Sequence, residues 1–141
     1  MQNAPRESQA YFEHDADVGI IGRGPTLERC LESAAEATFA IMADLSAISP
    51  ELEVGVDFQE GDPEFALVTW INLLLATARV RGLALCRFEL KRIGDRWRGH
   101  AWGAPWRRGQ ERGTEVKGAT LTMLSVKQTA SGWEARCVVD V

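Results

Sequence analysis

The chain has 141 residues, 45% of them hydrophobic and 26% charged, with a net charge of −4. These values are typical of one globular domain and exclude a collagen-like or disordered chain. The longest apolar stretch, residues 67–78, is interrupted by Asn72 and is too short to span a bilayer. Because there is no apolar amino-terminal run and no CxxC motif, we expect a protein of the reducing cytoplasm, without disulfides or a thiolate zinc site.

The charges are unevenly distributed along the chain. Residues 1–78 carry 3 basic and 14 acidic side chains, a balance of −11, whereas residues 79–117 carry 11 basic and 4 acidic ones, a balance of +7. Two interpretations are open: ordinary variation between surfaces, or a separate basic face for a polyanion or an acidic partner. We favour the first, because segregation along a sequence does not establish segregation in space.

The first half of the chain contains one helix signal between two strand signals. Residues 1–10 are expected to form a flexible tail, and residues 11–24 combine a short strand signal with turn residues. Gly22 and Gly24, at the end of this segment, lack the spacing and the lysine of a phosphate-binding loop. Thr26 is expected to cap a helix that reaches about Met42, since apolar residues recur there at intervals of three and four. Residues 52–58 alternate between apolar and polar, which predicts a half-buried strand.

The second half begins with a strong helix start at Asp62-Pro63. The following helix is apolar on nearly every side, so we expect it to be the central buried helix. Residues 83–93 alternate, with one slip at Leu85-Cys86 that predicts a bulge. Gly94-Asp95 predicts a hairpin turn into a strand from Arg96. Strands are also expected at residues 115–127 and 133–141.

The predicted order is therefore β-α-β-α-β-β-β-β. This order favours an α+β fold of two layers, with two helices packed on a mixed, largely antiparallel sheet. We expect residues 11–141 to form a single domain, because no repeat or linker interrupts them.

Acidic residues near both ends of the chain form a candidate metal site. Asp15 and Asp17 lie two apart before Gly19, and carboxylate oxygens suit a hard divalent cation. Asp140 and the α-carboxylate of Val141, where the protein ends there, join them if the last strand runs beside the first. The alternatives are two aspartates that form turns and a solvated chain end.

Arginine and tryptophan alternate between Arg96 and Arg112, a composition that suits stacking on single-stranded RNA. Tryptophans on a strand are more often packing residues, and arginines serve protein partners equally well. Neither histidine lies in a recognisable catalytic motif, so no motif favours a hydrolase, although the sequence does not exclude one. The residues predicted to contact RNA or a protein partner are His14, Asp15, Arg96, Arg98, Arg107, Arg108 and Lys117.

Three sequence blocks resemble those of the archease family. H-D-A-D-V-G at residues 14–19 resembles the family's opening H-T-A-D-V, and G-T-E-V-K-G-A-T at residues 113–120 is similar to its central E-V-K-A-x-T. The ending G-W-E-A-R-C-V-V-D-V is similar to the family's closing G-W-x-A-x-V-x-x-D-I. The resemblance covers about residues 11–141, and the blocks occur in the family's order.

The resemblance implies a non-catalytic accessory protein of an RtcB-type RNA ligase, which acts in tRNA splicing and RNA repair. Such a protein speeds guanylylation of the ligase and supports repeated turnover. The resemblance also implies a divalent cation, calcium in the family, held here by Asp17, Asp140 and Val141. Two alternatives stay open: a chaperone or specificity module for an RNA-modifying enzyme such as a tRNA methyltransferase, and a small enzyme acting on a phosphorylated substrate.

The sequence departs from the family pattern at several polar positions. An acid replaces the usual Thr of the opening block, and the Asp and Glu of the family's D-W-L-N-E-L-L helix block are lost. The departures are Asp15, Thr69, Leu73, Ala104, Leu121 and Thr122.

Overall fold

The computed structural model describes residues 10–14 and 17–141, with residues 13 and 14 described by their backbone alone. The predicted tail at residues 1–10 therefore lies outside the described residues, apart from Ala10. The elements in chain order are β1 (Tyr11–His14), β2 (Asp17–Gly24), α1 (Leu27–Ala40), a 3₁₀ turn (Leu45–Ala47), β3 (Leu52–Gln59), α2 (Pro63–Arg81), β4 (Leu83–Ile93), β5 (Arg96–Pro105), β6 (Gly118–Ala119), β7 (Ser125–Thr129) and β8 (Gly132–Asp140).

Both helices begin at the residues that the sequence predicted. The Thr26 hydroxyl accepts a hydrogen bond from the Arg29 N–H at 3.1 Å, and Asp62 caps α2 with Pro63 in its first turn. Gly82 ends α2 in the left-handed conformation, at φ 66°, which glycine adopts without steric cost. Within the described residues, neither helix is long and apolar enough to cross a membrane.

The strands form two sheets. The first has the order β1-β2-β8-β6, and β7 also pairs with β8; the second has the order β3-β5-β4. All described pairings are antiparallel. The α+β fold class is confirmed, but the expected single mixed sheet is wrong, because β3, β4 and β5 pair only with one another among the described strands.

The local features of the strands mostly agree with the predictions. A register shift between Leu85 and Arg87 confirms the bulge, and the Ile93–Arg96 pair confirms the hairpin at Gly94. The predicted strand over residues 115–127 is instead two short strands, β6 and β7, separated by a loop. Met123 in that loop has φ 53°, which a continuous strand does not accommodate.

One core joins the helices to both sheets. It includes Leu31 of α1, Trp70 of α2, Trp97 of β5 and Cys137 of β8. The fully buried Trp70 donates its indole N–H to the Leu31 carbonyl at 3.0 Å, which removes the cost of burying that donor.

The helix α2, which we expected to be the central buried helix, is buried along one face only. Its buried face carries Leu67, Trp70 and Leu74, but Phe65 is 47% exposed and Val80 86% exposed. Its hydrophobic composition therefore overstates its burial, since exposed apolar side chains are common on protein surfaces.

Candidate functional site

Strand pairing brings Asp17 and Asp140, which are far apart in the sequence, to the same end of the first sheet. Strands β2 and β8 are antiparallel neighbours, with Val18 opposite Val139. Asp17 directly precedes Val18 and Asp140 directly follows Val139, so the two aspartates occupy facing positions at the ends of neighbouring strands. On the other sides, Asp17 pairs with His14 of β1 and Asp140 pairs with Gly118 of β6. The last strand thus lies beside the opening segment, as the metal hypothesis required.

The two aspartates also share a face of the sheet. Val18 and Val139 pack against the core, and successive residues of a strand point to opposite faces. Asp17 and Asp140 therefore point away from the core; Asp140 is exposed and Asp17 half-exposed. Facing residues of an antiparallel pair have Cβ atoms about 4.5–5.5 Å apart, and like charges at such positions destabilise the sheet. Within the described part of the chain, neither carboxylate has an ion-pair partner.

Hydrogen bonds from α2 hold the neighbouring strand β6 in place. The Ala119 N–H donates to Asn72 Oδ1 at 2.8 Å, and Asn72 Nδ2 donates to the Ala119 carbonyl at 3.3 Å. The Lys117 N–H donates to the Asp140 carbonyl at 2.7 Å, and Arg79 donates to the Lys117 carbonyl at 3.2 Å. The Asp140 carbonyl is thus held by Lys117, which is itself held by Arg79 of α2.

Asn72 is the supporting residue that our sequence reasoning missed. The available signal was its position as the one amide within the apolar stretch of residues 67–78. A polar side chain on the apolar part of a helix usually has a hydrogen-bonding partner.

The donor set fits a hard divalent cation. Asp17 and Asp140 offer carboxylate oxygens, the ligands that calcium and magnesium prefer. The Val141 side chain packs against the core, which keeps the residue after Asp140 at the same edge. Among the side chains that the structure describes, those of residues 10–12 and 17–141, no group of three or more His, Cys, Asp or Glu is able to hold a metal ion. Any further ligand therefore comes from backbone or terminal oxygens, from water, or from residues outside that part; Asp15 is one such residue.

The predicted arginine contacts lie on the second sheet and the loop after it, away from β2 and β8. Arg96 and Arg98 are on β5, and Arg107 and Arg108 follow it. Of the predicted contact residues, Lys117 lies next to β6, and His14 is placed by its backbone opposite Asp17. The structure therefore divides the predicted contact residues between two regions.

Acidic residues of the neighbouring strand pair with several of these cations. Arg98 lies 3.0 Å from Asp57, and Arg107 lies 3.2 Å from Glu51. Strand β3 and the residue before it belong to the acidic half of the sequence, and β5 belongs to the basic half. The two halves thus meet side by side in space, which supports ordinary surface variation over a separate basic face. RNA binding by these arginines stays a prediction.

The tryptophans of this region pack against the chain's own arginines. The Arg87 guanidinium lies 4.5 Å from the centre of the Trp102 ring, and Arg112 lies 4.0 Å from that of Trp106. Cation–π contacts of this kind stabilise by about 0.5–1 kcal/mol at exposed sites. The alternation of arginine and tryptophan in the sequence is therefore at least partly structural.

The departures from the family pattern are scattered over the fold. Thr69 and Leu73 lie half-buried on α2, and Ala104 is buried in β5. Leu121 and Thr122 lie on the loop between β6 and β7, beside β8. Asp15 lies outside the described residues. Among the described departures, Thr122 adjoins the strand that carries Asp140, because its carbonyl accepts a hydrogen bond from the Val138 N–H.

The cysteines are free thiols, two of them buried. Burial raises the pKa of Cys137 to about 12, and burial together with the charge of Glu134 raises the pKa of Cys30 to about 12. Thiols held neutral in this way are poor nucleophiles and poor metal ligands. The site chemistry is therefore that of carboxylates rather than of thiols.

Comparisons with known proteins identify relatives along nearly the whole chain. Residues 10–141 match the model of the archease protein family (MTH1598/TM1083). The chain is 31% identical over 137 residues to protein archease of Methanosarcina mazei, covering 93% of this chain and 94% of that protein. It is 34% identical over 134 residues to protein archease of Sulfolobus acidocaldarius, covering 93% and 96%.

Solved structures share the fold. The solution structure of Methanobacterium thermoautotrophicum protein 1598 superposes with a TM-score of 0.74 at 27% identity, covering 94% of this chain and 97% of that one. The crystal structure of a Thermotoga maritima archease, described as a possible chaperone, superposes with a TM-score of 0.66 at 20% identity, covering 99% and 100%. At that lower identity the likeness concerns the fold alone.

Proposed function

Because this chain belongs to the archease family over residues 10–141, we propose that it is a non-catalytic, metal-binding accessory protein that activates an RtcB-type RNA ligase. In this role it promotes guanylylation of the ligase and its repeated turnover in tRNA splicing and RNA repair. The observation that carries the proposal is the pairing of Val18 with Val139, from which we infer that Asp17 and Asp140, the next residue on each strand, lie side by side.

The physical argument starts from the repulsion between these two carboxylates. Two like charges at facing positions lower stability, and a divalent cation between them converts that repulsion into attraction. Asp17 and Asp140 would hold the cation through their side chains, with the α-carboxylate of Val141 where the protein ends there. A bound divalent cation supplies positive charge that stabilises a reacting phosphate. The exposure of Asp140 places the site where a partner protein can reach it.

Calcium titration tests the metal site by itself. Isothermal titration calorimetry should detect binding to the wild type and a large loss of affinity in Asp140→Asn. The matched control is Glu111→Gln, which removes an exposed carboxylate on the loop after β5. Equal calcium affinity in all three proteins contradicts the site.

Thermal unfolding gives a second test, because Asp140→Asn should not lower stability without calcium but should lose the stabilisation that calcium gives. In EDTA, Asp140→Asn should be as stable as the wild type or more stable, because one of two repelling charges is gone. At a calcium concentration about 100 times Kd, the wild type should gain about 2.7 kcal/mol from binding to the folded state, and the variant should not. A variant that loses stability equally in EDTA and in calcium indicates a structural role for Asp140 instead.

Ligase guanylylation tests the activating role. A purified RtcB-type ligase is incubated with labelled GTP alone, with the wild-type protein, and with Asp17→Ala or Glu111→Gln. We expect stimulation by the wild type and by Glu111→Gln, and none by Asp17→Ala. The proposal fails if the wild type leaves the rate of guanylylation unchanged, whereas equal stimulation by Asp17→Ala removes only the role of the metal site.

A second candidate function is a chaperone or specificity module for an RNA-modifying enzyme such as a tRNA methyltransferase. The observation that favours it is the loop between β6 and β7, where Leu121 is 62% exposed and Met123 is 57% exposed. Backbone hydrogen bonds between residues 120–122 and Val138 fix this loop beside β8. Single exposed apolar side chains are ordinary, but adjacent ones that form a patch are typical of surfaces that bind protein partners.

Aggregation of a purified tRNA methyltransferase, measured by light scattering, separates the two candidates. The second candidate predicts that the wild type and Asp140→Asn suppress aggregation equally, whereas the double variant Leu121→Ser/Met123→Ser loses the effect. If the loop variant protects as well as the wild type, the loop is not the client surface.

A further inference from the structure

A half-open pocket of about 350 Å³ lies at the opposite end of α2 from its Asp62 cap. It is formed by the carboxyl-terminal ends of α1 and α2, the first residues of β4, and the segment 106–116 that follows β5. Its volume is within the range of about 300–1,000 Å³ that small-molecule sites occupy. The pocket shares no lining residue with the paired aspartates, so it is a separate candidate site.

The floor of the pocket is apolar. Phe39 of α1, Leu75 and Ala78 of α2, Leu83 of β4 and Val116 line it, and all five side chains are buried. Such a surface favours the apolar body of a ligand over water.

Backbone hydrogen bonds hold the pocket open. The Trp106 N–H donates to the Gly82 carbonyl at 3.1 Å, and the Gly113 N–H donates to the Met42 carbonyl at 2.8 Å. Gly113 is required there, because a Cβ would lie 2.2 Å from the Ile41 carbonyl oxygen. The cavity is thus formed without a ligand, which lowers the entropy cost of binding.

The rim carries a net positive charge. Arg79, Arg112 and Glu115 line the opening and are exposed. Arg112 lies over the Trp106 ring at 4.0 Å, and Arg79 donates one hydrogen bond to a backbone carbonyl. In the described part of the chain, none of the three has an ion-pair partner. Two guanidinium groups with free donors against one carboxylate favour a ligand with a single negative charge.

We propose that this pocket binds a small carboxylic acid, as its carboxylate, with an apolar body. The volume corresponds to about a dozen non-hydrogen atoms at roughly 30 Å³ for each water-sized group. The apolar body lies on the floor between α1 and α2, and the carboxylate accepts hydrogen bonds from Arg79 and Arg112 at the rim. The proposal requires neither the metal nor the ligase, but Arg79 of the rim also donates to the Lys117 carbonyl next to the metal site.

Titration with 3-phenylpropionate, followed by NMR of the methyl groups, tests the site. We expect saturable shifts confined to pocket residues such as Leu75, Ala78 and Leu83. The alcohol 3-phenylpropan-1-ol, which lacks the charge, and acetate, which lacks the apolar body, should each bind at least about fivefold more weakly. Absence of saturable shifts, or shifts spread over the whole surface, overturns the proposal.

Variants then separate the rim charge from general effects. Arg112→Ala should weaken binding of 3-phenylpropionate about fivefold, whereas Arg108→Ala, an exposed arginine of the same loop that does not line this pocket, should leave it unchanged. Ala78→Leu fills the floor and should abolish binding, with well-dispersed amide spectra confirming that the variant is folded. Asp140→Asn should bind normally, which distinguishes this site from the metal site. Equal weakening by Arg108→Ala and Arg112→Ala, or unimpaired binding by a folded Ala78→Leu, refutes the assignment.

Discussion

The amide of Asn72 joins α2 to β6, and its removal should weaken both the fold and the metal site. Asn72→Ala deletes the 2.8 Å and 3.3 Å hydrogen bonds to Ala119. Each such bond stabilises by about 1 kcal/mol net, or about 2 kcal/mol in all. Alanine is the better helix former by roughly 0.5 kcal/mol, so we expect a net loss of about 1.5 kcal/mol in the free energy of unfolding.

Urea and thermal denaturation measure this loss. For a domain of this size, 1 kcal/mol lowers Tm by about 2–4 °C, so Asn72→Ala should unfold about 3–6 °C below the wild type. Asn72→Asp retains an acceptor for the Ala119 N–H but has no donor for the Ala119 carbonyl. It should therefore lose less stability than Asn72→Ala. The control is Thr77→Ala, a half-buried polar position on the same helix, which should be neutral or stabilising. An Asn72→Ala protein as stable as Thr77→Ala refutes the reasoning.

The same variant tests how β6 supports the site. Lys117, just before β6, donates its N–H to the Asp140 carbonyl, so loosening β6 should also weaken calcium binding by Asp140. Calorimetry at a temperature where the variant is fully folded gives this second readout. Unchanged calcium affinity in a destabilised Asn72→Ala protein indicates that β8 alone positions Asp140.

Two further predictions concern the core. Gly99→Ala should cost about 1–3 kcal/mol by urea denaturation, because its Cβ would lie 2.1 Å from the Trp70 ring, whereas Gly61→Ala, with no atom within 4 Å, should cost little; equal losses would contradict this packing. Burial raises the pKa of Cys137 to about 12, so above about pH 8.5 the unfolded chain loses this proton first and stability falls as pH rises. Cys137→Ala should therefore show a shallower decline between pH 8 and 11, and a thiol reagent should label the half-buried Cys86 before Cys137; identical pH profiles would refute the burial argument.

Features that depend on near neighbours in the chain followed from the sequence. The caps at Thr26 and Asp62 and the hairpin turn at Gly94 rest on hydrogen bonds or backbone angles within a few residues. The bulge at Leu85 lies in the pairing with β5, but its slip in alternation is a local pattern.

Features that depend on residues far apart in the chain did not follow from the sequence. Periodicity assigns residues to strands but not strands to sheets, so it does not distinguish one sheet from two. The charge pattern gave no sign that Asp57 pairs with Arg98, 41 residues away. Nor did it show that Asn72 bonds to Ala119, 47 residues away.

The aspartates of the candidate site illustrate this difference between local and long-range features. Their identity, and their suitability for a hard cation, are properties of the side chains and were read directly from the sequence. Their closeness cannot be read from the sequence, because Asp17 and Asp140 are neighbours only through the pairing of β2 with β8. Local hydrogen bonding determined the elements of this protein, and the burial of one shared core decided which elements, and therefore which charges, lie side by side.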